Sequence, residues 1–240
     1  MSEKQRIPRS ASGWFLQSAA SVLKDELLDA GLRHNACIAA TSIAVDVFAG
    51  VGIEVEPLVV NVAACNPPFV KRCRERGMAG SGQELDRWFA EDGAYLHCLG
   101  IGETPSGQWS GHLVTIIQWA WMLDLTIDQV NRAEYGLLAP KFLIQPVTNG
   151  FLDGEERLHW AAGNGAEFIY EARPHDTSYS ATQAWKQRKR VAPIVQRTLA
   201  RIGLSLPVSQ RSPRLPTRSH PILRPLLGAA FISRPLADNR

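Results

Sequence analysis

The 240-residue sequence predicts an α+β fold, with helices first and an antiparallel β-sheet after them. Apolar residues recur at helical spacing in the first 50 residues, and later apolar runs are short, rich in β-branched residues and separated by turn residues. A content of 45% hydrophobic and 20% charged residues allows a sizeable core. These observations exclude global disorder and predict a helical layer packed on a sheet.

Two helices are predicted near the N-terminus. Residues 14–30 carry an apolar stripe that ends at Gly31. Residues 36–48 are apolar on most faces and rich in small residues, which suits a helix packed closely against other elements, and Gly50 and Gly52 follow it. A third, short helix is predicted for residues 83–91, after an excursion over residues 66–82 that contains Pro67 and Pro68.

Five segments after the second helix are predicted to be strands. Residues 53–64 follow the second helix and form the first strand, and residues 112–118 and 121–125 form a hairpin. Residues 141–147 and 167–171 are candidate short strands.

Charge divides the chain into two parts. Residues 1–180 hold 14 Lys/Arg and 22 Asp/Glu, whereas residues 181–240 hold 12 Lys/Arg and the single acid Asp238. Seven prolines also lie in the last 50 residues, a density that breaks helices and strands. We therefore predict a domain over residues 1–185 and a basic, proline-rich, disordered tail over residues 186–240.

Several classes of protein are excluded on composition. No run approaches the roughly 18 apolar residues that a membrane-spanning helix needs, and the first ten residues are not followed by the apolar stretch of a secretory signal. Four irregularly spaced cysteines do not make a disulfide scaffold. We expect a cytoplasmic protein with free thiols and no membrane partner.

Cys37 has the most informative surroundings of the four cysteines. Asn35 is a good N-cap residue, so Cys37 is expected in the first turn of the second helix. Unpaired backbone N–H groups and the positive end of the helix dipole favour a thiolate there. The alternative is a small buried hydrophobic residue in an alanine-rich helix.

His112 is the candidate base, and Asp124 is its candidate partner. A hairpin centred near Gln118 sets residue 112 opposite residue 124, with Cβ atoms within about 5.5 Å. Asp124 lies between two leucines, where an unpaired charge is costly. A role in orienting His112 would explain a carboxylate at this position. A Cys-His-Asp arrangement of this kind supports nucleophilic catalysis. The alternative is a satisfied pair in the core.

These strings resemble a known family. The segments NACIAATSIAVDVFAGVGIEVEPLVV, GHLVTII and WMLDLTIDQ are similar to the transglutaminase-like branch of the papain-like cysteine proteins. The resemblance spans residues 14–130 and implies a helix-start Cys37, a strand-borne His112 and Asp124 on the next strand. It also implies a papain-like core, in which the nucleophile helix packs on the antiparallel sheet. The common His-Ala-Trp triplet of the family is replaced here by His112-Leu113-Val114.

Other candidate sites follow from single residues. An oxyanion hole would take one donor from the backbone of the Cys37 helix and another from Gln17, Trp14 or Asn35. A zinc set of Cys65, Cys73, His97 and Cys98 matches no common ligand spacing, so neither a metal nor a cofactor is expected.

Two functions remain open on this sequence. The first is cysteine-dependent acyl transfer or hydrolysis at an amide bond of a peptide or related substrate, of the peptidase, amidase, deamidase or transglutaminase type. The second is a non-catalytic binding module on the same scaffold, whose basic tail holds an anionic partner.

Overall fold

The computed structural model of the chain describes residues 13–32, 36–100, 109–187 and 191–203. Within these residues the fold is α+β, as predicted, with seven α-helices and seven strands. The helices are α1 (Gly13–Asp29), α2 (Cys37–Gly50), α3 (Pro67–Arg76), α4 (Gly82–Asp92), α5 (Asn149–Leu152), α6 (Gln183–Lys186) and α7 (Ala192–Arg201). The strands are β1 (Val55–Cys65), β2 (Leu96–Leu99), β3 (His112–Ile117), β4 (Trp121–Asp124), β5 (Leu143–Pro146), β6 (Arg157–Ala161) and β7 (Glu167–Ala172).

All strands belong to one antiparallel sheet in the order β5-β4-β3-β1-β7-β6. The long strand β1 is its centre, because it pairs with β3 through Val55–Val60 and with β7 through Val60–Cys65. The short strand β2 pairs with the last four residues of β1, on the edge that β3 leaves free. The chain therefore brings its late strand β7 beside an early one.

A helical layer covers one face of the sheet. Helices α1, α2 and α7 meet Ile117 of β3 and Leu123 of β4 in one buried cluster. α1 presents an apolar stripe to this cluster, and its chain reverses at Gly31, whose φ of 75° favours glycine. The opposite face of the sheet forms a second cluster, which contains Val114, Ile116 and Met122 together with Phe151 of α5.

Helix α7 lies in the segment that the sequence analysis assigned to the tail. Ile194, Val195 and Leu199 are buried against α1 and α2, and Glu26 of α1 accepts hydrogen bonds from two arginines of α7. The described fold therefore continues beyond residue 185, the predicted end of the domain, and includes α7. Residues 204–240, which make up most of the predicted tail, lie outside the described residues.

Residues 67–76 form α3, where the sequence predicted an irregular excursion. Asn66 caps this helix, because its side chain accepts a hydrogen bond from the Phe69 N–H at 3.0 Å. Pro67 and Pro68 occupy the first helical positions, where the missing N–H costs nothing. The two prolines therefore start a helix here and do not interrupt one.

Among the described residues, no helix combines the length and the apolar character that crossing a bilayer requires.

Candidate active site

Cys37 is the first residue of α2, as the sequence predicted within one position. Ala36 occupies the N-cap position and makes no side-chain cap, while Asn35, the predicted cap, lies outside the described residues. Cys37 is 7% exposed and packs with Ile38, Val59 and Leu113. The Thr41 hydroxyl donates a hydrogen bond to the Leu113 carbonyl at 3.0 Å, which fixes the start of α2 beside the start of β3.

His112, the first residue of β3, lies where α2 and β3 both begin. It is 1% exposed, and the Cys37 side chain lies close enough to its ring to influence its titration. Its Nε2 lies 2.8 Å from Oδ2 of Asp124, which is 0% exposed. The structure thus brings together Cys37, His112 and Asp124, the three residues that the sequence singled out.

The hairpin register differs from the predicted one. Thr115 pairs with Leu123 and Ile117 with Trp121, so the hairpin is centred at Trp119 and not at Gln118. Gln118 and Trp119 both adopt positive φ, of 52° and 55°, and form the turn. Asp124 is therefore diagonal to His112, not directly opposite it. The two residues still share a face of the sheet, because the offset is an even number of residues.

Asp124 is surrounded by donors to both carboxylate oxygens. Oδ2 accepts a hydrogen bond from the Tyr170 hydroxyl at 3.0 Å as well as facing His112. Oδ1 accepts one from the Thr126 backbone N–H at 2.9 Å. The buried charge is thereby satisfied, and the carboxylate is fixed in one orientation.

These contacts shift the pKa values of His112 and Asp124. Burial alone disfavours the imidazolium, but the charge and hydrogen bond of Asp124, with a smaller part from Cys37, raise the pKa of His112 to about 10. Burial also opposes the charge of Asp124, yet His112, Thr126 and Tyr170 together hold the pKa of that carboxyl below its usual range. The pKa of Tyr170 is raised by burial and by the Asp124 charge beside it, so it stays a hydrogen-bond donor at neutral pH.

The segment after β4 supplies one more group to the ring. Gln129 lies in a 3-10 helix over Ile127–Val130, and its Nε2 is 2.9 Å from Nδ1 of His112. The 3% exposed Lys24 of α1 holds this segment, donating to the Leu125 carbonyl at 2.9 Å and to Oδ1 of Asp128 at 2.7 Å. Lys24 therefore holds the turn that carries Gln129 and so fixes the position of the Gln129 side chain.

Of the predicted oxyanion-hole side chains, two lie on α1 and face solvent. Trp14 is 79% exposed, and Gln17 is also exposed. Trp109 packs against the cluster around Cys37, and its indole donates to the Ser178 hydroxyl at 2.9 Å. Gly111 leaves room for this ring, since a Cβ there would lie 2.1 Å from it.

The other three cysteines differ from Cys37 in their surroundings. Burial raises the pKa of the Cys65 and Cys73 thiols and raises the pKa of Cys98 to about 11. His97 and Cys98 are neighbours on β2 and point to opposite faces. Among the described residues, no three His, Cys, Asp or Glu side chains are grouped so that they could hold a metal ion.

Sequence reasoning missed Tyr170 and Gln129. Tyr170 is 46 residues from Asp124 and reaches it only because β7 joins the far edge of β1. No local sequence pattern predicts such a contact. Gln129 did have a signal, since it closes the string DLTIDQ that carries part of the family resemblance.

Comparison of the chain with protein-family models, with curated proteins and with solved structures found no match.

Proposed function

We propose that this chain is a cysteine-dependent enzyme that transfers or hydrolyses an acyl group at an amide bond, with Cys37 as nucleophile, His112 as general base and Asp124 as the group that orients the histidine. The observation that carries the proposal is the buried chain of contacts from the Cys37 thiol through the His112 ring to the Asp124 carboxylate. Burying ionisable groups costs free energy, and buried groups with shifted pKa values are typical of functional sites.

Cys37, His112 and Asp124 each have a defined role in the proposed reaction. Nε2 of His112 faces Asp124, so Nδ1, which the Gln129 side chain also contacts, is the nitrogen that exchanges a proton with the thiol and the leaving group, and the raised pKa of His112 keeps that proton on the ring at neutral pH. The sulfur then bonds to the carbonyl carbon, and the C=O electron pair moves onto the oxygen. When the carbonyl re-forms, the bond to the leaving group breaks and that group takes the proton from Nδ1. The product is a thioester on Cys37, which water or an amine releases.

The resemblance to the transglutaminase-like branch of the papain-like cysteine proteins supports this reaction class and a papain-like core. It leaves four outcomes open: peptidase, amidase, deamidase and transglutaminase. The nature of the second acceptor, water or an amine, separates the hydrolases from the transferase. The proposal also assigns the chain to the cytoplasm, because its four cysteines are free thiols and a reducing medium preserves them.

The test is acylation by p-nitrophenyl acetate, a generic activated ester. We expect rapid release of nitrophenolate and an acetyl group on Cys37, located by peptide mass spectrometry. Cys37→Ala and His112→Ala should abolish the reaction while leaving a folded protein, whereas Cys73→Ala should change nothing. Adding a primary amine such as cadaverine then shows whether the thioester is transferred or hydrolysed.

Acetylation that appears on surface lysines alone, at equal rates in the parent and in Cys37→Ala, would contradict the proposal. The buried groups would then be a satisfied part of the core.

A further inference from the structure

We infer that three neighbouring rings at the surface of the fold, called the aromatic surface below, bind the proline-containing segment 213–216 of the same chain. The three rings belong to Phe89, Tyr95 and Tyr135. None of them takes part in the proposed reaction, so the inference stands independently of the proposed function.

The aromatic surface joins three elements that are separate in sequence. Phe89 lies on α4, Tyr95 directly precedes β2, and Tyr135 ends the 3-10 helix Ala133–Tyr135. The ring centroid of Tyr135 lies 4.2 Å from that of Tyr95 and 5.4 Å from that of Phe89. Phe89 is nevertheless 43% exposed and Tyr135 37% exposed. These exposed rings are contiguous and not scattered singly, which is typical of a binding surface.

One buried side chain holds the three elements together. Asn66, which is 1% exposed, donates through Nδ2 to the Tyr135 carbonyl at 2.7 Å and to the Gly93 carbonyl at 2.8 Å. Its Oδ1 accepts a hydrogen bond from the Tyr95 N–H at 2.8 Å. Gly93 caps the C-terminus of α4, four residues after Phe89. The rings are therefore positioned before anything binds, which lowers the free-energy cost of binding.

The sequence of the chain contains a ligand of matching chemistry. Aromatic-lined grooves bind Pro-x-x-Pro segments, because proline rings pack on aromatic faces and little conformational entropy is lost on binding. Pro213 and Pro216 have this spacing, and three arginines accompany them, at positions 211, 214 and 218. The segment therefore offers both proline rings and positive charge.

Negative charge lies beside the rings to meet those arginines. Glu134 is exposed and directly precedes Tyr135. Burial raises the pKa of Tyr95 and the charge of Glu134 adds to this shift, so the carboxylate lies near that ring. The nearby Arg132 guanidinium donates to the backbone carbonyls of residues 129 and 131. α4 contributes four further acidic residues against one arginine, so this side of the fold attracts a basic segment.

The segment is within reach of the aromatic surface. Residue 203 is the last described one, and Arg201 donates to Glu26 of α1 at 3.0 Å. Lys24, two residues earlier in α1, bonds to Asp128, which lies five residues before the 3-10 helix of the aromatic surface. Helix α1 thus brings the end of α7 near the chain that leads to the three rings. Position 213 is ten residues beyond 203, a length that spans up to about 33–36 Å.

A fluorescent peptide of residues 208–222 tests the inference on the full chain. Pro213→Ala and Pro216→Ala are introduced together in the protein, so that its own segment no longer competes. Fluorescence anisotropy should show that this double-proline variant binds the peptide, and that the parent binds it about tenfold more weakly. An attached segment competes at an effective concentration of about 1 mM, tenfold above an expected peptide Kd of about 0.1 mM. A peptide with the same two substitutions should not bind.

Substitutions in the aromatic surface locate the binding site. In the double-proline variant, Tyr135→Ala and Phe89→Ala should each weaken peptide binding at least about fivefold, because each removes an exposed ring. Glu134→Gln should weaken binding about twofold at low salt and reduce its salt dependence. Leu138→Ala is the matched control, since Leu138 is 49% exposed and lies outside the aromatic surface, and it should change nothing. The urea midpoint of each variant verifies that it is folded.

The other outcomes overturn the inference. Peptide binding that survives the loss of either ring would place the site elsewhere, and equal affinity for the alanine peptide would mean that charge alone is recognised. Equal binding to the parent and to the double-proline variant would show that the segment of the chain itself does not occupy the surface. A parent that is dimeric by light scattering, and monomeric in the double-proline variant, would make a second copy the source of the segment.

Discussion

The charge of Asp124 controls the protonation of the whole site. It is completely buried, yet His112, Tyr170 and Thr126 supply donors to its two oxygens. Burial by itself would lower the pKa of His112, and the Asp124 charge is the main influence that raises it. The readiness of His112 to hold a proton therefore depends on one carboxylate.

Replacing that carboxylate by an amide of the same shape should disable the base. In Asp124→Asn, burial is no longer opposed by a full charge, so the pKa of His112 should fall by several units. Each unit reduces the ratio of imidazolium to imidazole tenfold, so alkylation of Cys37 at pH 7 should slow by at least about tenfold. The measurement is the alkylation rate against pH, with Asp153→Asn as a surface control. An unchanged rate would show that Asp124 does not act through His112.

At the scale of elements, α1 holds the turn that carries Thr126 and Gln129. Lys24 is buried, and Asp128, its ion-pair partner, is 26% exposed. This pair joins residues 104 positions apart, and the Leu125 carbonyl takes a second bond from the same ammonium.

Removing the acid of this pair should be costly. In Asp128→Asn the buried ammonium of Lys24 loses its counter-charge, a change that typically costs about 3–5 kcal/mol. The free energy of unfolding in urea measures the loss. Asp86→Asn, at an exposed position of α4, is the matched control and should stay within about 0.5 kcal/mol of the parent. A similarly small effect for Asp128→Asn would show that Lys24 finds another partner.

Helix α7 should be part of the cooperative fold. Leu199 is 1% exposed and packs on α1 and α2, whereas Leu138 is 49% exposed. Leu199→Ala should therefore lower the free energy of unfolding by about 2–5 kcal/mol, and Leu138→Ala by much less. Equal effects of the two substitutions would place α7 outside the cooperative unit, as the sequence alone suggested.

The sequence predicts most elements but not their long-range contacts. The strands of residues 112–118 and 121–125 were placed correctly because their apolar runs flank a short turn, and their register came out two residues off. That error left Asp124 on the correct face, since side chains alternate with a period of two. Helix α3 was missed because residues 66–82 were interpreted as a surface excursion, whereas Pro67 and Pro68 are the first helical residues after the Asn66 cap. The contact of Tyr170 depends on β7 joining β1, which is a property of the sheet as a whole.

For the whole molecule, the buried pair links stability to pH. The pKa of His112 is raised to about 10 in the folded chain, against about 6.5 when unfolded, so its contribution is complete below pH ~6.5 and declines as the pH rises towards 10. The pKa of Asp124 is lowered, so its contribution is complete above pH ~4 and is lost as the pH falls. The pair therefore stabilises most between pH ~4 and ~6.5.

Urea unfolding of the parent and of His112→Gln at pH 6, 7 and 8 tests this linkage. The difference in free energy of unfolding should shrink with rising pH, by at most about 1.4 kcal/mol for each unit, because one proton is involved. The thiols and other groups are common to both proteins and cancel in the comparison. A difference that grows with pH would reverse the assigned direction of the His112 shift.

The central claim is that Cys37 and His112 act as one coupled nucleophile, and alkylation by iodoacetamide from pH 5 to pH 10 tests it most directly. Peptide mass spectrometry reads all four cysteines at once, and an ordinary free thiol reacts with a midpoint near pH ~8.5. We predict that Cys37 labels rapidly at pH 7, ahead of Cys65 and Cys98, and that His112→Ala removes this difference in rate. Slow labelling of Cys37 that requires urea and is the same in both proteins would contradict it.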